Sequence, residues 1–178
     1  MSPNPDPAPL ARHLTGADHL DVKTVVGRAG LREFLSAMLG ADPAWLRGLY
    51  VLRGGLAAIL GLTQPPRCAV PGPEALDLSP GAPLRFFTTL DSDGATYWAG
   101  EAVDRHLSAV LAVEREPLGA EPDGPARFRV TTAVRYRHWT GPVYFNLIRP
   151  FHHLVVARMA RAGARGGRNA RPEARPEA

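Results

Sequence analysis

Glu101, Asp104, Arg105 and His106 form the densest ionisable cluster in this chain of 178 residues. A carboxylate that orients an imidazole makes a general base. Asp104 and His106 share a side only if both lie in a strand. The plainer reading is a surface ion-pair cluster that fixes the start of a strand, because such networks perturb titration without catalysing anything. A second concentration is Arg149, His152 and His153. Adjacent histidines on a helix point about 100° apart, so His152 and His153 cannot chelate one ion as an i, i+4 pair would. A metal site would need His106 or His138 to converge from elsewhere, so no metal and no cofactor is expected. His152 more simply meets a strand-borne partner. Arg149 either anchors its helix near Tyr136 or Glu101, or faces solvent.

The third group is a row. From Arg127 the chain alternates as a strand, with Phe128, Val130, Thr132, Val134, Tyr136 and His138 on one face. Arg127, Arg129, Thr131, Ala133, Arg135 and Arg137 lie on the other, which reads as one face packed and one face wet. Thr132, Tyr136 and His138 put hydroxyl and imidazole groups on the dry face. Such groups must find partners, water or a ligand. Tyr144, Arg149 and His152 on a following helix are the candidate intramolecular partners.

Other chemistry is excluded by its missing signatures. There is no phosphate loop, no dinucleotide fingerprint after a strand and no serine elbow. Cys68 is the only cysteine, so no disulfide within the chain and no thiolate cage can form. Its neighbours suggest a loop and a passive thiol. The net charge is +4, and of 21 basic residues only Lys23 is lysine. The arginines are scattered and concentrate only in the C-terminal tail, which argues against a nucleic-acid partner. The N-terminus lacks the pattern of a secretory signal. The most apolar stretch, residues 45 to 62, carries Arg47 and Arg53, which argues against a membrane span. A cytoplasmic protein is expected.

The elements that must position these groups follow from periodicity. Residues 1 to 17 are Pro-rich and polar and read as a flexible arm. Leu20, Val22, Thr24 and Val26 alternate as a short first strand. Leu31, Phe34, Leu35 and Met38 have helical spacing, with Gly40 as a stop. Asp42-Pro43 opens a second helix with the stripe Trp45, Leu49, Leu52, Leu56, Ile59 and Leu60. Residues 63 to 85 are too rich in proline and glycine for more than one short edge strand. Residues 86 to 90 and 95 to 101 form a hairpin around Asp91-Ser92-Asp93-Gly94. Residues 106 to 115 make the next strand, antiparallel to the long one. Gly141-Pro142 launches the last helix, with the stripe Tyr144, Leu147, Ile148, Phe151, Val155 and Met159 and a kink at Pro150. Residues 164 to 178 have no large apolar group and read as a disordered tail.

This order resembles the helix-grip fold of the START, polyketide-cyclase and pollen-allergen-like superfamily. Two segments narrow the match, residues 100 to 113 (GEAVDRHLSAVLAV) and 134 to 159 (VRYRHWTGPVYFNLIRPFHHLVVARM). Both look like the bacterial family called domain of unknown function 2867. Gly100, Glu101, Asp104, Arg105, His106 and Leu107 match its first motif, while Ala102 and Val103 depart from it. His138, Gly141, Tyr144, Ile148, Arg149, Pro150, Phe151 and His152 match its second, with Trp139 in place of the usual Asn. The resemblance implies an α+β fold, in which a curved antiparallel sheet wraps a long C-terminal helix and two helices follow the first strand. It implies no activity, since fold does not supply function.

The expectation is one helix-grip domain over residues 18 to 163 that binds a hydrophobic or amphipathic small molecule between sheet and last helix. Its lining would be Thr132, Val134, Tyr136, His138, Tyr144, Ile148, Phe151 and His152. An enzyme of the cyclase, dehydratase or hydrolase kind would use the same cavity, with Tyr136, His138 or His106 as acid or base. A filled core would make the chain an accessory interaction domain instead.

Overall fold

A computed structural model describes residues 8–41, 70–121 and 124–169. The chain begins with α1 (Ala8–Leu14), β1 (His19–Gly27) and α2 (Leu31–Gly40). A 3-10 turn at Pro73–Ala75 leads to β2 (Pro83–Leu84), β3 (Phe87–Ser92) and β4 (Tyr97–Val103). β5 (Leu107–Pro117), β6 (Ala126–Tyr136) and the long α3 (Gly141–Asn169) complete it. The strands make one antiparallel sheet in the order β1-β6-β5-β4-β3-β2. First and last strands are neighbours, so α3 leaves β6 beside β1 and lies over both. This is the expected α+β helix-grip arrangement. The helix read from Asp42 lies outside the described residues.

The inner face of the sheet carries the core. Phe34 of α2 stacks on Phe128 of β6, with ring centroids 4.1 Å apart and planes within 5°. Val113, Val130, Trp98 and Met38 are buried around them. Burying each large side chain contributes roughly 1.5–3 kcal/mol. Two glycines let the layers close. A Cβ on Gly27 would lie 2.5 Å from the Ala164 carbonyl oxygen, and one on Gly163 would lie 2.9 Å from the Phe34 ring. β1 and α2 therefore touch the backbone of α3.

Four sequence expectations need correction. The segment read as a flexible arm contains α1. Leu10 is buried against Ala99 and Ala112 on the outer face of the sheet. Pro9 sits in the first turn, where its missing N–H costs nothing. Second, β6 is not wet along its whole outer face. Arg127 and Arg129 are exposed, but Thr131 and Ala133 are buried. Arg135 then turns its guanidinium onto the carbonyls of His13 and Thr15, tying β6 to the end of α1.

Third, β6 ends at Tyr136, so His138 leaves the inward row and is exposed in the turn before α3. Fourth, α3 runs on to Asn169, past the point where a disordered tail was expected. Gly166 packs against Ala37 of α2, which supports the extra turn. Pro150 lies within α3, where Asn146 loses the amide that would bond its carbonyl.

Candidate functional site

β1 is an inverted strand. Its apolar residues Leu20, Val22 and Val26 point outward and are 47–58% exposed. Its polar residues His19, Asp21 and Lys23 lie on the inner side, under α3. The register sets Asp21 directly across from Thr132 of β6, and His19 across from Val134. From above, α3 lowers Phe145, His152 and His153 onto them. The His19 ring centroid lies 4.9 Å from Phe145 and 5.6 Å from His153. His152 is 5.9 Å from Phe145 and 6.1 Å from His153 by the same measure.

Among the described residues, six buried side-chain atoms have no hydrogen-bond partner, and five of them are here. They are His19 Nε2, Asp21 Oδ2, Thr132 Oγ1, His152 Nε2 and His153 Nδ1. Asp21 Oδ2 and His153 Nδ1 are 3.2 Å apart, at ion-pairing distance but without hydrogen-bond alignment. Thr132 is only 4% exposed. Each buried group left unpaired costs about 1–3 kcal/mol. Three of these atoms, on His19, Thr132 and His152, have no partner, and the other two face each other.

The electrostatics make this a cluster of unlike groups. Burial, reinforced by His153, lowers the His152 pKa to about 4, so its imidazole is neutral at pH 7. Burial also lowers His19, with Arg149 acting in the same direction. Burial opposes ionisation of Asp21, but the Lys23 ammonium 2.6 Å away and His153 outweigh it and hold the carboxyl below its usual range. A neutral imidazole offers one donor and one acceptor, and a carboxylate only acceptors. The cluster therefore sets hydrogen-bond donors and acceptors side by side. No cluster of three or more His, Cys, Asp or Glu among the described residues is arranged to hold a metal ion.

The residues expected to line a cavity are divided by the structure. Thr132, Val134 and His152 belong to the polar cluster under α3, and Tyr136 borders it through Phe145, 6.1 Å away between ring centroids. The side chains of Tyr144 and Ile148 lie outside the described set. Phe151 is 44% exposed and points outward with Leu147. The buried row of α3 is Phe145, Val156, Met159, Ala160 and Gly163, so the expected stripe holds at Met159 and Val155 and is rotated nearer the start of the helix. His19 and Asp21 are not picked out by sequence reasoning, and His153 is weighed there only as a metal ligand. The signal for the first two is the polar row His19, Asp21 and Lys23 that alternates with Leu20 and Val22.

The cluster at residues 101 to 106 is built differently. Asp104 Oδ1 accepts hydrogen bonds from the backbone amides of His106 and Leu107, at 2.7 and 2.9 Å. That carboxylate closes the turn before β5 and does not orient the imidazole. His106 Nδ1 instead meets Thr140 Oγ1, which also lies 3.0 Å from His138 Nδ1. Glu101 shares the α1 side of β4 with Ala99. A separate open groove of about 550 Å³ lies at the far end of α3, lined by Val25, Arg28, Pro125, Arg161 and Arg165 among others.

Among the described residues no helix is long and apolar enough to cross a membrane. Comparison with curated proteins finds no match. A family model does match, over residues 13–159, which takes in the polar cluster, the β5 turn and most of α3. The chain belongs to the family described as protein of unknown function, DUF2867.

Proposed function

We propose that the protein is a binding protein of the START, polyketide-cyclase and pollen-allergen-like kind. It holds an amphipathic small molecule between the sheet and α3. The polar end of the ligand meets His19, Asp21, Thr132 and His152, and its apolar end meets Phe145, Val134 and Tyr136. The observation that carries this reading is the convergence of three buried atoms without a hydrogen-bond partner, His19 Nε2, Thr132 Oγ1 and His152 Nε2, beside the Asp21–His153 contact. A second reading is favoured by one feature of the same cluster. Imidazoles gathered beside an ionised Asp21 bring proton-accepting groups together, as a dehydratase or hydrolase would need.

The test is titration with 1-anilinonaphthalene-8-sulfonate, which joins apolar rings to a polar head. The folded parent should bind it with saturable enhancement of fluorescence. Thr132→Trp fills the proposed site and should abolish the enhancement while the far-ultraviolet spectrum stays folded. A parent that never binds the dye, with a Thr132→Trp variant that unfolds, contradicts the reading.

A further inference from the structure

The two edges of the sheet are treated differently. β2 is two residues long and contains Pro83, so that edge offers little to pair with. β1 is nine residues long, contains no proline, and keeps an unbroken register with β6 from His19 to Gly27. Its other side has no strand partner among the described residues. Among the described residues it thus presents an edge row of backbone donors and acceptors with no strand beside it, flanked on the outer face by exposed Leu20 and Val22.

We infer that β1 pairs with β1 of a second copy of this chain. The pairing is antiparallel about a two-fold axis through Val22. The charges on the inner face select this register. Residues opposite each other in an antiparallel pair point to the same face, so only registers that match inner with inner residues are allowed. Centring on Asp21 would oppose Asp21 to itself, and centring on Lys23 would oppose lysine to lysine. Centring on Val22 sets Asp21 against the partner's Lys23 twice, and opposite charges across strands are favourable. On the outer face Val22 meets the partner's Val22, and Leu20 meets the partner's Thr24. The same patch serves both copies, as a two-fold interface requires.

Such an interface is narrow, so the dimer is concentration-dependent. Sedimentation of the full chain should show the 19.2 kDa monomer at low micromolar concentration and a species of twice that mass near 200 µM. Val22 is 47% exposed, so Val22→Lys leaves the core intact and should weaken association at least tenfold. The register is tested by crosslinking in a Cys68→Ser background. Cα atoms directly opposite in an antiparallel pair lie about 4.5–5.5 Å apart, within disulfide reach. Val22→Cys should therefore form a covalent dimer under mild oxidation. Thr24→Cys, set four residues from its own counterpart, should not. A parent that stays monomeric at 200 µM overturns the inference. So does a Thr24→Cys chain that crosslinks as well as Val22→Cys.

Discussion

Asp21 of β1 and His153 of α3 face each other across the helix–sheet seam, Oδ2 to Nδ1 at 3.2 Å, with neither atom in an aligned hydrogen bond. The pair sits in a buried polar cluster with Thr132, His19 and His152. Helix and sheet usually meet through apolar side chains, and they do so in this protein from Val156 onward. At the N-terminal half of α3 they meet through imidazoles and a carboxylate. That difference between the two halves of one seam is the ground for placing the proposed ligand there.

The first consequence is a pH dependence. A histidine with a depressed pKa in the fold is neutral there, while the unfolded chain takes up a proton near pH 6.5. Stability contributed by neutral His152 is therefore complete above about pH 6.5 and is lost as pH falls toward 4. The loss is on the order of 3 kcal/mol, and His19 acts in the same direction. Urea unfolding at pH 8 and pH 5 checks it. His152→Phe should flatten the slope between the two and be the more stable protein at pH 5. An unchanged slope would place the titration elsewhere.

The C-terminus gives the second prediction. Deleting residues 170 to 178 should leave the melting temperature within experimental scatter. Deleting residues 164 to 178 removes Ala164 from Gly27 and Gly166 from Ala37, and should lower it by several degrees. Calorimetry of the two truncations separates them.

A third prediction concerns α1. Leu10 is 5% exposed in a small cluster on the outer face. Leu10→Ala should cost about 2 kcal/mol in denaturant unfolding, the low end for a buried leucine because the site lies at the periphery. A change below about 0.5 kcal/mol would mean that α1 is not docked in solution.

His106 supplies a fourth. Its carboxylate neighbour is engaged by backbone amides, and its own Nδ1 meets Thr140. His106→Ala should lower stability by about 1 kcal/mol, the value of one side-chain hydrogen bond, and leave dye binding unchanged. Loss of binding with the fold intact would move the site toward the β5 turn.

Much of this fold is legible in the sequence, for physical reasons that also explain the failures. β6 announces itself because Phe128 and Val130 alternate with Arg127 and Arg129. The alternation fails at Thr131 and Ala133 because α1 covers them, and α1 has only Leu10 and Leu14 to show at helical spacing. On α3 both sides are apolar near the start, with Phe145 inward and Val143, Leu147 and Leu154 outward. Period alone cannot choose between two apolar stripes, so the stripe was set too far round. β1 misleads more deeply. Hydrophobic-in logic turns Leu20 and Val22 toward the core, whereas the structure turns His19 and Asp21 there. Local pattern and tertiary burial disagree at this strand, and sites of function are where such disagreement is expected.

The most direct measurement is the pair of stability and dye affinity for Thr132→Val. Valine keeps the shape and removes the one hydroxyl that is 4% exposed and unpartnered. If that hydroxyl is kept for a ligand, its loss relieves a buried unpaired group. The variant should then be as stable as the parent or more so, by about 1 kcal/mol, while dye affinity falls severalfold. A variant destabilised by about 1 kcal/mol or more with unchanged dye affinity would mean that Thr132 serves the fold alone, and would contradict the cluster as a binding site.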